Sequence, residues 1–500
     1  VENQVVVVVA IKKTLIIITL GLIAISAFSQ DNTSGNGSSV YKKRVLESME
    51  IDILSSYYTQ DGSNAAVTGG IGTEELDDFA TNINISIPLN ADDVLTIDGS
   101  ISAYTSASSS NLNPFSGASS GDDDDDKRDG DDGGSVAGTP WISSSGASKH
   151  DVWSSGNISY SHSSDDRNNI WSANINFASE YDYTSYGVGG SFTKLFNQQN
   201  TEIGIKTNIY LDAWKPAYPT EIIKYIHNFI SSPSEVLIIG FFQDVDILDS
   251  LGIPVDKTDP DIWHPISNTL IEDKGRDTYS VSLSFSQILG QNSQISVFSD
   301  IVLQNGWLAN PMQRVYFADK DNYFIGNADD IPNYTSPSNS EVFQLADDIE
   351  RLPDNRLKTP IGMRFNYYIN EFFVLRNYYR YYFDDWGIKS HTANIEVPIK
   401  ITDSFTLYPS YRYYTQTESE YFAPFDEHLS TDEFYTSDYD LSEFNSSQFG
   451  FEIQYNDIFT KAHLGILGLK TINLNYSYYK RNTGLNAHII SLGVKFILNK

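Results

Sequence analysis

The sequence predicts an all-β protein: a transmembrane antiparallel β-barrel of about sixteen strands with long extracellular loops and short periplasmic turns. Three observations predict it. Runs of about ten residues alternate with a period of two, apolar and aromatic groups on one parity and polar or ionic groups on the other. The long irregular stretches all follow odd-numbered runs, as expected when tight turns stay on one side of a membrane and long loops on the other. Near the N-terminus, Lys12 and Lys13 precede the apolar run Leu15–Ile25 and the small residues Ala27 and Ser29, the layout of a secretory leader.

The alternation is clearest between Ile361 and Thr415. Ile361, Met363, Phe365 and Tyr367 face one way, and Gly362, Arg364, Asn366 and Tyr368 the other. Phe373, Leu375, Tyr379, Tyr381 and Phe383 then oppose Arg376, Tyr378, Arg380, Tyr382 and Asp384. Two more strands follow, through His391–Val397 and Phe405–Thr415. Arginine and glutamate recur where a soluble core would place valine or leucine. One face therefore meets grease and the other meets water, which a barrel in lipid supplies.

The remaining runs can be placed in order. The first, near Met49–Tyr58, is the weakest, with Ile51 and Ile53 against Glu50 and Asp52. In the second, Ile83, Ile85 and Ile87 oppose Asn82, Asn84 and Ser86, and the third carries Leu95, Ile97, Ile101 and Ala103. Val152–Ser161 and Ile170–Tyr181 flank a short turn, as do Tyr186–Leu195 with Thr201–Leu211 and Thr278–Leu289 with Gln294–Gln304. Ser447–Tyr455, Thr471–Lys480 and Ala487–Leu498 complete the set. Long interruptions at 106–149, 212–277, 305–358 and 417–446 follow the third, seventh, ninth and thirteenth runs. Prolines 216, 219, 254, 260 and 265 keep regular pairing out of the second of these. No fixed repeat of twenty to fifty residues points instead to a propeller or β-helix.

Composition narrows the function. A net charge of −32 excludes nucleic acid as a partner. The mean hydropathy of −0.30 excludes a helical membrane protein but not a barrel, half of whose strand residues are polar. With no cysteine there is no disulfide, thiolate metal site, cysteine nucleophile or lipid-bearing cysteine. The expected organisation is a leader over 1–29, with residues 1–11 reading as a misplaced start, a periplasmic lead-in over 30–47 and the barrel over 48–500. The expected address is the bacterial outer membrane, reached by secretion through the inner membrane, and the expected first partners are its lipid and the barrel-assembly machinery.

A barrel this wide encloses water unless loops fill it. The parity places Arg364, Arg376, Arg380, Arg412 and Arg481 on the lumen side, with Glu180, Asp182, Asp384, Glu396 and Glu452. These charges either select a solute or pair with one another. The segment 421–442 carries Asp426, Glu427, His428, Asp432, Glu433, Asp438 and Asp440 among aromatics, and is the expected inward-folding plug. The acidic run with Asp122, Asp124, Asp126, Asp129 and Asp131 invites calcium, yet Lys127 breaks the spacing of an EF-hand loop, so no metal or other cofactor is expected. No GxSxG, HExxH, P-loop or GxGxxG motif occurs, and no enzyme is expected. His150 beside Asp151, and His428, are the groups an outer-membrane hydrolase would have to use.

Several blocks resemble a known family. VTGGIGTEEL (67–76), SEYDYTS (179–185), YLDAWKPAYP (210–219), NYYRYYFDDWGIKSHT (377–392) and YFAPFDEHLSTDEFYTSDYDLS (421–442) are similar to a bacterial outer-membrane β-barrel family known only as a domain of unknown function, DUF3570-like. The resemblance covers nearly the whole chain after the leader. It implies an outer-membrane barrel and a neighbourhood of periplasmic thioredoxin-like and flavin-transferring proteins, and it assigns no functional residue. The leading functional expectation is a channel or solute-specific conduit with a charged lumen. A loop-plugged barrel docking periplasmic redox or metal-handling partners is the alternative, and an outer-membrane hydrolase the third.

Overall fold

A computed structural model describes residues 43–105, 150–180, 183–214, 246–256, 274–326 and 342–498, together with Ile222, Ile262 and Asp329. The expected leader, most of the lead-in, the aspartate run and Asp182 lie outside the described residues.

The first nine strands are β1 (Glu50–Asp61), β2 (Leu76–Pro88), β3 (Asp93–Thr105), β4 (His150–Ser163), β5 (Asn169–Ser179), β6 (Tyr183–Phe196), β7 (Thr201–Trp214), β8 (Lys274–Gly290) and β9 (Ser293–Gly306). The next seven are β10 (Asn355–Tyr368), β11 (Val374–Asp384), β12 (Lys389–Glu396), β13 (Phe405–Gln416), β14 (Phe444–Asn456), β15 (Leu467–Arg481) and β16 (Asn486–Leu498). Each pairs antiparallel with the next. The last returns to the first, from Glu50 opposite Ile497 to Asp61 opposite Asn486. Two short pieces, Ile399–Lys400 and His463–Leu464, append to this cylinder. The barrel is closed.

Closure leaves no strand edge, so every backbone group in the wall can bond within it, which lipid requires. The outer face is a continuous belt of apolar side chains. Ile175, Val188, Leu283 and Phe449 are 58%, 54%, 51% and 59% exposed, values that make sense only against hydrocarbon. The inner face of β2 to β8 carries small polar groups such as Asn84, Asn157, Asn176, Asn208, Ser282 and Ser284. At the seam, Lys495 Nζ sits 2.6 Å from Glu50 Oε2 and 3.1 Å from Asp52 Oδ2, and Lys470 Nζ lies 2.8 Å from Glu50 Oε1. The first strand, the faintest in the sequence, is thus a full twelve-residue partner to the last.

Loops sort by end. One end carries only short links, such as 89–92, 197–200 and 291–292, the longest being 457–466; the other carries 62–75, 307–354 and 417–443. We call these the turn end and the loop end, periplasmic and extracellular in a barrel of this class. Strands outrun the expected ten residues: β7 has fourteen and β8 seventeen. Fourteen residues at ~3.3 Å, tilted ~40°, rise about 35 Å, roughly 10 Å more than the apolar band.

Three expectations need correction. The interruption 305–358 shrinks to 307–354, because β10 starts at Asn355; Pro360 lies inside that strand. The β9–β10 ladder steps over it, pairing Lys358 with Val302 and resuming at Ile361 with Ser299, which accommodates the missing N–H. The interruption also contains pairing of its own: Arg314–Val315 with Asp348–Ile349, and Phe324–Gly326 with Val342–Gln344. Strand β5 ends at Ser179, so Glu180 sits in the turn at the loop end, where its N–H donates to the Tyr183 carbonyl at 2.8 Å, and not on the lumen wall.

Candidate functional site

The loops 62–75, 307–354 and 417–443 interlock into a cap over the loop end of the lumen. Its two larger loops zip through the backbone: Arg351 and Tyr435 exchange N–H to carbonyl bonds at 3.0 and 2.8 Å, and Ala318 N–H reaches the His428 carbonyl at 2.8 Å. Between them lie Val315, Phe317 and Tyr435, all buried, the last two rings meeting edge-on at 5.0 Å. Loop 62–75 enters through Gly69 and Gly70, with φ of +82° and +91°. A Cβ on Gly69 would lie 2.6 Å from the Tyr316 ring, and one on Gly70 2.8 Å from the Ser437 carbonyl oxygen, so only glycine admits both the turn and the approach.

Carboxyls are buried in this cap with hydroxyl and backbone partners. Tyr435 Oη donates to Asp348 Oδ2 at 2.6 Å, and Thr436 Oγ1 to Glu350 Oε1 at 2.5 Å, with Asn310 N–H on the other Glu350 oxygen at 2.5 Å. Burial raises the Glu350 carboxyl to about 8, with the charge of Asp438 adding to it. Burial likewise raises Asp347 to about 7 and Asp438 to about 6. Asp348 is raised too, mainly by burial, although Arg351 lies 2.9 Å away.

The cap is seated on the barrel at two places. Arg481, on the inner face of β15, reaches Asp440 at 2.9 Å and lies over the Phe444 ring at 4.0 Å, while Gln416 Nε2 donates to the carbonyls of Asp440 and Ser442 at 2.9 and 2.6 Å. Across the mouth, Arg356 on β10 pairs with Asp384 on β11 at 2.5 Å and lies 4.2 Å over the buried Trp386 ring. Tyr382 Oη also donates to Asp384 at 2.6 Å, and the Trp386 carbonyl accepts from Ser419 Oγ at 3.2 Å. Between cap and wall a cavity of about 440 Å³ remains, lined by Tyr58, Gln448 and Tyr479 from the wall and by Glu74, Gln313 and Asp438 from the cap.

The expected lumen charges fall into three groups. Asp384 and Arg481 belong to the cap's seat. Arg376 pairs with Glu396 across β11 and β12 at 2.8 Å and lies 5.7 Å from the Tyr408 ring, with Glu452 inward on β14 nearby. Arg364, Arg380 and Arg412 face inward on β10, β11 and β13 without a carboxylate partner among the described residues. Of the expected plug residues, Asp438 and Asp440 engage the wall or Gln313 (3.1 Å), whereas Glu427, Asp432 and Glu433 are exposed. Asp426 occupies a positive-φ turn at +60°. His428 is buried, its Nε2–H donating to the Thr436 carbonyl at 2.9 Å. That bond makes it a strut of the cap. The side chain of His150 lies outside the described residues, as do Asp122, Asp124, Asp126, Asp129 and Asp131. Among the described residues no group of three or more His, Asp or Glu is arranged to hold a metal.

Sequence reasoning missed Arg356, Glu350 and Asp348. Each lay in a stretch read as irregular, and each finds its partner far along the chain: Glu350 in Thr436, Asp348 in Tyr435, Arg356 in Asp384.

Closed wall, lipid belt, polar lumen and capped mouth together define an outer-membrane-type β-barrel. The chain belongs to the family described as "Protein of unknown function (DUF3570)", whose model matches residues 19–494. No curated protein matches its sequence. Among solved structures it is similar to a "Bacterial polysaccharide outer membrane secretin" at 8% identity and a TM-score of 0.40, covering 91% of this chain and 100% of that one. It is also similar to the P. putida toluene transporter TodX (9%, TM-score 0.35, 91% of each chain) and to Pseudomonas aeruginosa OccK2 (7%, 0.35, 91% and 100%). At such scores these likenesses do not bear on what this barrel carries, and the barrel assignment rests on its own strand pairing. The described parts of the blocks that carried the family resemblance reach the loop end at the Gly69-Gly70 turn, the Tyr183–Trp214 ring contact at 6.0 Å, the Asp384–Trp386 seat and the cap itself, and 377–392 also takes in most of β11.

Proposed function

We propose that the protein is a gated outer-membrane conduit for small polar solutes, its loop end stoppered by the cap. The observation that carries this reading is the wall beneath the cap. Over β2 to β8 it presents mostly asparagine, serine and glycine to the lumen, with Trp153, Lys206 and Tyr210 among the larger groups, a lining too small to fill a sixteen-stranded cylinder and suited to water. A plug held by a few side-chain and backbone bonds, one ion pair and the Trp386–Tyr421 ring contact at 5.8 Å can move, whereas one packed by a hydrophobic core into the wall could not.

The same cap supports a second reading, a permanently stoppered barrel that docks periplasmic partners. Planar-bilayer recording separates the two. The intact protein should conduct rarely, and a variant lacking 421–440 should conduct steadily. Silence from both would leave the docking reading and end the conduit one.

A further inference from the structure

Seven arginines face the lumen or its mouth from the barrel strands from β8 onward, and they divide sharply. Arg276, Arg356, Arg376 and Arg481 each lie within 3.0 Å of a carboxylate: Asp212, Asp384, Glu396 and Asp440. Arg364, Arg380 and Arg412 have none among the described residues. In a chain of net charge −32, three guanidinium groups left without carboxylates on one wall ask for an explanation.

Register sets the three on two adjoining rows. Arg364 lies opposite Tyr378, Tyr378 opposite Asn394, and Asn394 opposite Arg412, so one row crosses β10 to β13 with an arginine at each end. Arg380 stands in the next row toward the loop end, opposite Thr392, which is opposite Tyr414. Diagonal neighbours on one sheet face are ~7–8 Å apart. Arg364 and Arg380 are such neighbours and one small anion can touch both, while Arg412, two strands from Arg380 and three from Arg364, is itself a diagonal neighbour of Thr392.

The site also shows construction. Phe298 and Tyr378 stack at 5.9 Å, and the Arg364 guanidinium lies 5.2 and 5.8 Å from their rings. The Phe298 ring fits only because residue 362 is glycine: a Cβ there would come within 2.3 Å of its tip. Thr392 is 1% exposed, yet its Oγ1 has no hydrogen-bond partner, and the Nε of Arg380 beside it has none either. Buried polar atoms are normally satisfied, and an exception asks for a water, an ion or another partner to fill it. One inward carboxylate, Glu396 on β12, stands in the row adjoining Arg412 and is held by Arg376 at 2.8 Å; Asp98 on β3 accepts from Asn82 at 3.0 Å, and Asp300 on β9 makes no ion pair with any of the three arginines.

We propose that Arg364, Arg380 and Arg412, with Thr392 between them, form an anion-binding station on the lumen wall that takes solutes bearing a carboxylate or phosphate group. This deepens the conduit reading and rests on it, since a conduit with this station passes anions in preference to cations. Each guanidinium bonded to such a group should contribute about tenfold in affinity.

The test uses the whole barrel in detergent, with inorganic phosphate and succinate as probes in titration calorimetry. At least one should bind, and Arg364→Gln with Arg412→Gln should weaken it at least tenfold while Arg412→Lys alone costs less. Retention of the unboiled gel mobility shows that the variants fold. Absence of binding by both probes, or equal binding by the double variant, would overturn the station. In bilayers under a KCl gradient, the reversal potential of the 421–440 deletion should favour chloride and swing toward potassium in the double variant. An unchanged potential would also overturn the station yet leave the conduit standing, whereas a silent pore would remove the conduit while calorimetry still judged the station.

Discussion

Asp384 shows how one side chain can organise a rim. Its carboxylate has no solvent exposure, binds Arg356 and Tyr382, and accepts the N–H groups of Trp386 and Ile388 at 3.1 and 3.0 Å, so it both shapes the β11–β12 turn and anchors the arginine beneath the tryptophan. Removing one partner of a buried pair leaves the other charge uncompensated, at a cost of about 3–5 kcal/mol. Asp384→Ala should therefore lower barrel stability by roughly that amount in urea unfolding from detergent. A loss below about 1 kcal/mol, the range of exposed pairs, would show that the seat is solvated and not structural. Charge parity in the sequence found Asp384 but could not find Arg356. The start of β10 read as loop, and only the register with β9 reveals that the strand begins at Asn355 and that its ladder steps over Pro360.

The cap is an element whose stability depends on protons. Glu350, Asp347 and Asp438 hold theirs more tightly when the cap is folded, near 8, 7 and 6, than they would in an open loop. Charged neighbours soften this only in part: Lys320 acts on Asp347 and Arg481 on Asp438. For a carboxyl raised in this way the folded form binds the extra proton. The contribution of these three carboxyls to cap stability is therefore complete below about pH 4 and is lost as pH rises through about 6 to 8. Hydrogen exchange of backbone amides in 421–442, corrected for intrinsic rates, should show stronger protection at pH 5 than at pH 8.5, with Glu350→Gln flattening the difference. Equal protection at both values would mean the carboxyls are open to water. The barrel strands were legible because a period of two survives wherever one face meets lipid. The cap was not, because its core joins loops some ninety to three hundred and seventy residues apart and has no period. Segment 421–442 was expected to be ordered from its carboxylates, His428 and aromatics, but its partners, Val315, Phe317 and Gly69-Gly70, carried no signal that separates packed loop from free loop.

At the scale of the molecule, all of this depends on a cylinder that closes. The seam between β1 and β16 holds the lumen together, orients the arginine wall and fixes the mouth that the cap covers. The chain has no cysteine, so a pair introduced across the seam reports on it alone. Ser56 and Ser491 are direct cross-strand partners, both facing inward, while Gly493 lies two residues along β16, opposite Leu54. Mild oxidation of the Ser56→Cys, Ser491→Cys barrel should give a cross-linked species of shifted mobility on a non-reducing gel, and Ser56→Cys with Gly493→Cys should give far less. No cross-link from the matched pair, or equal yields from both, would contradict the closed barrel and everything built on it.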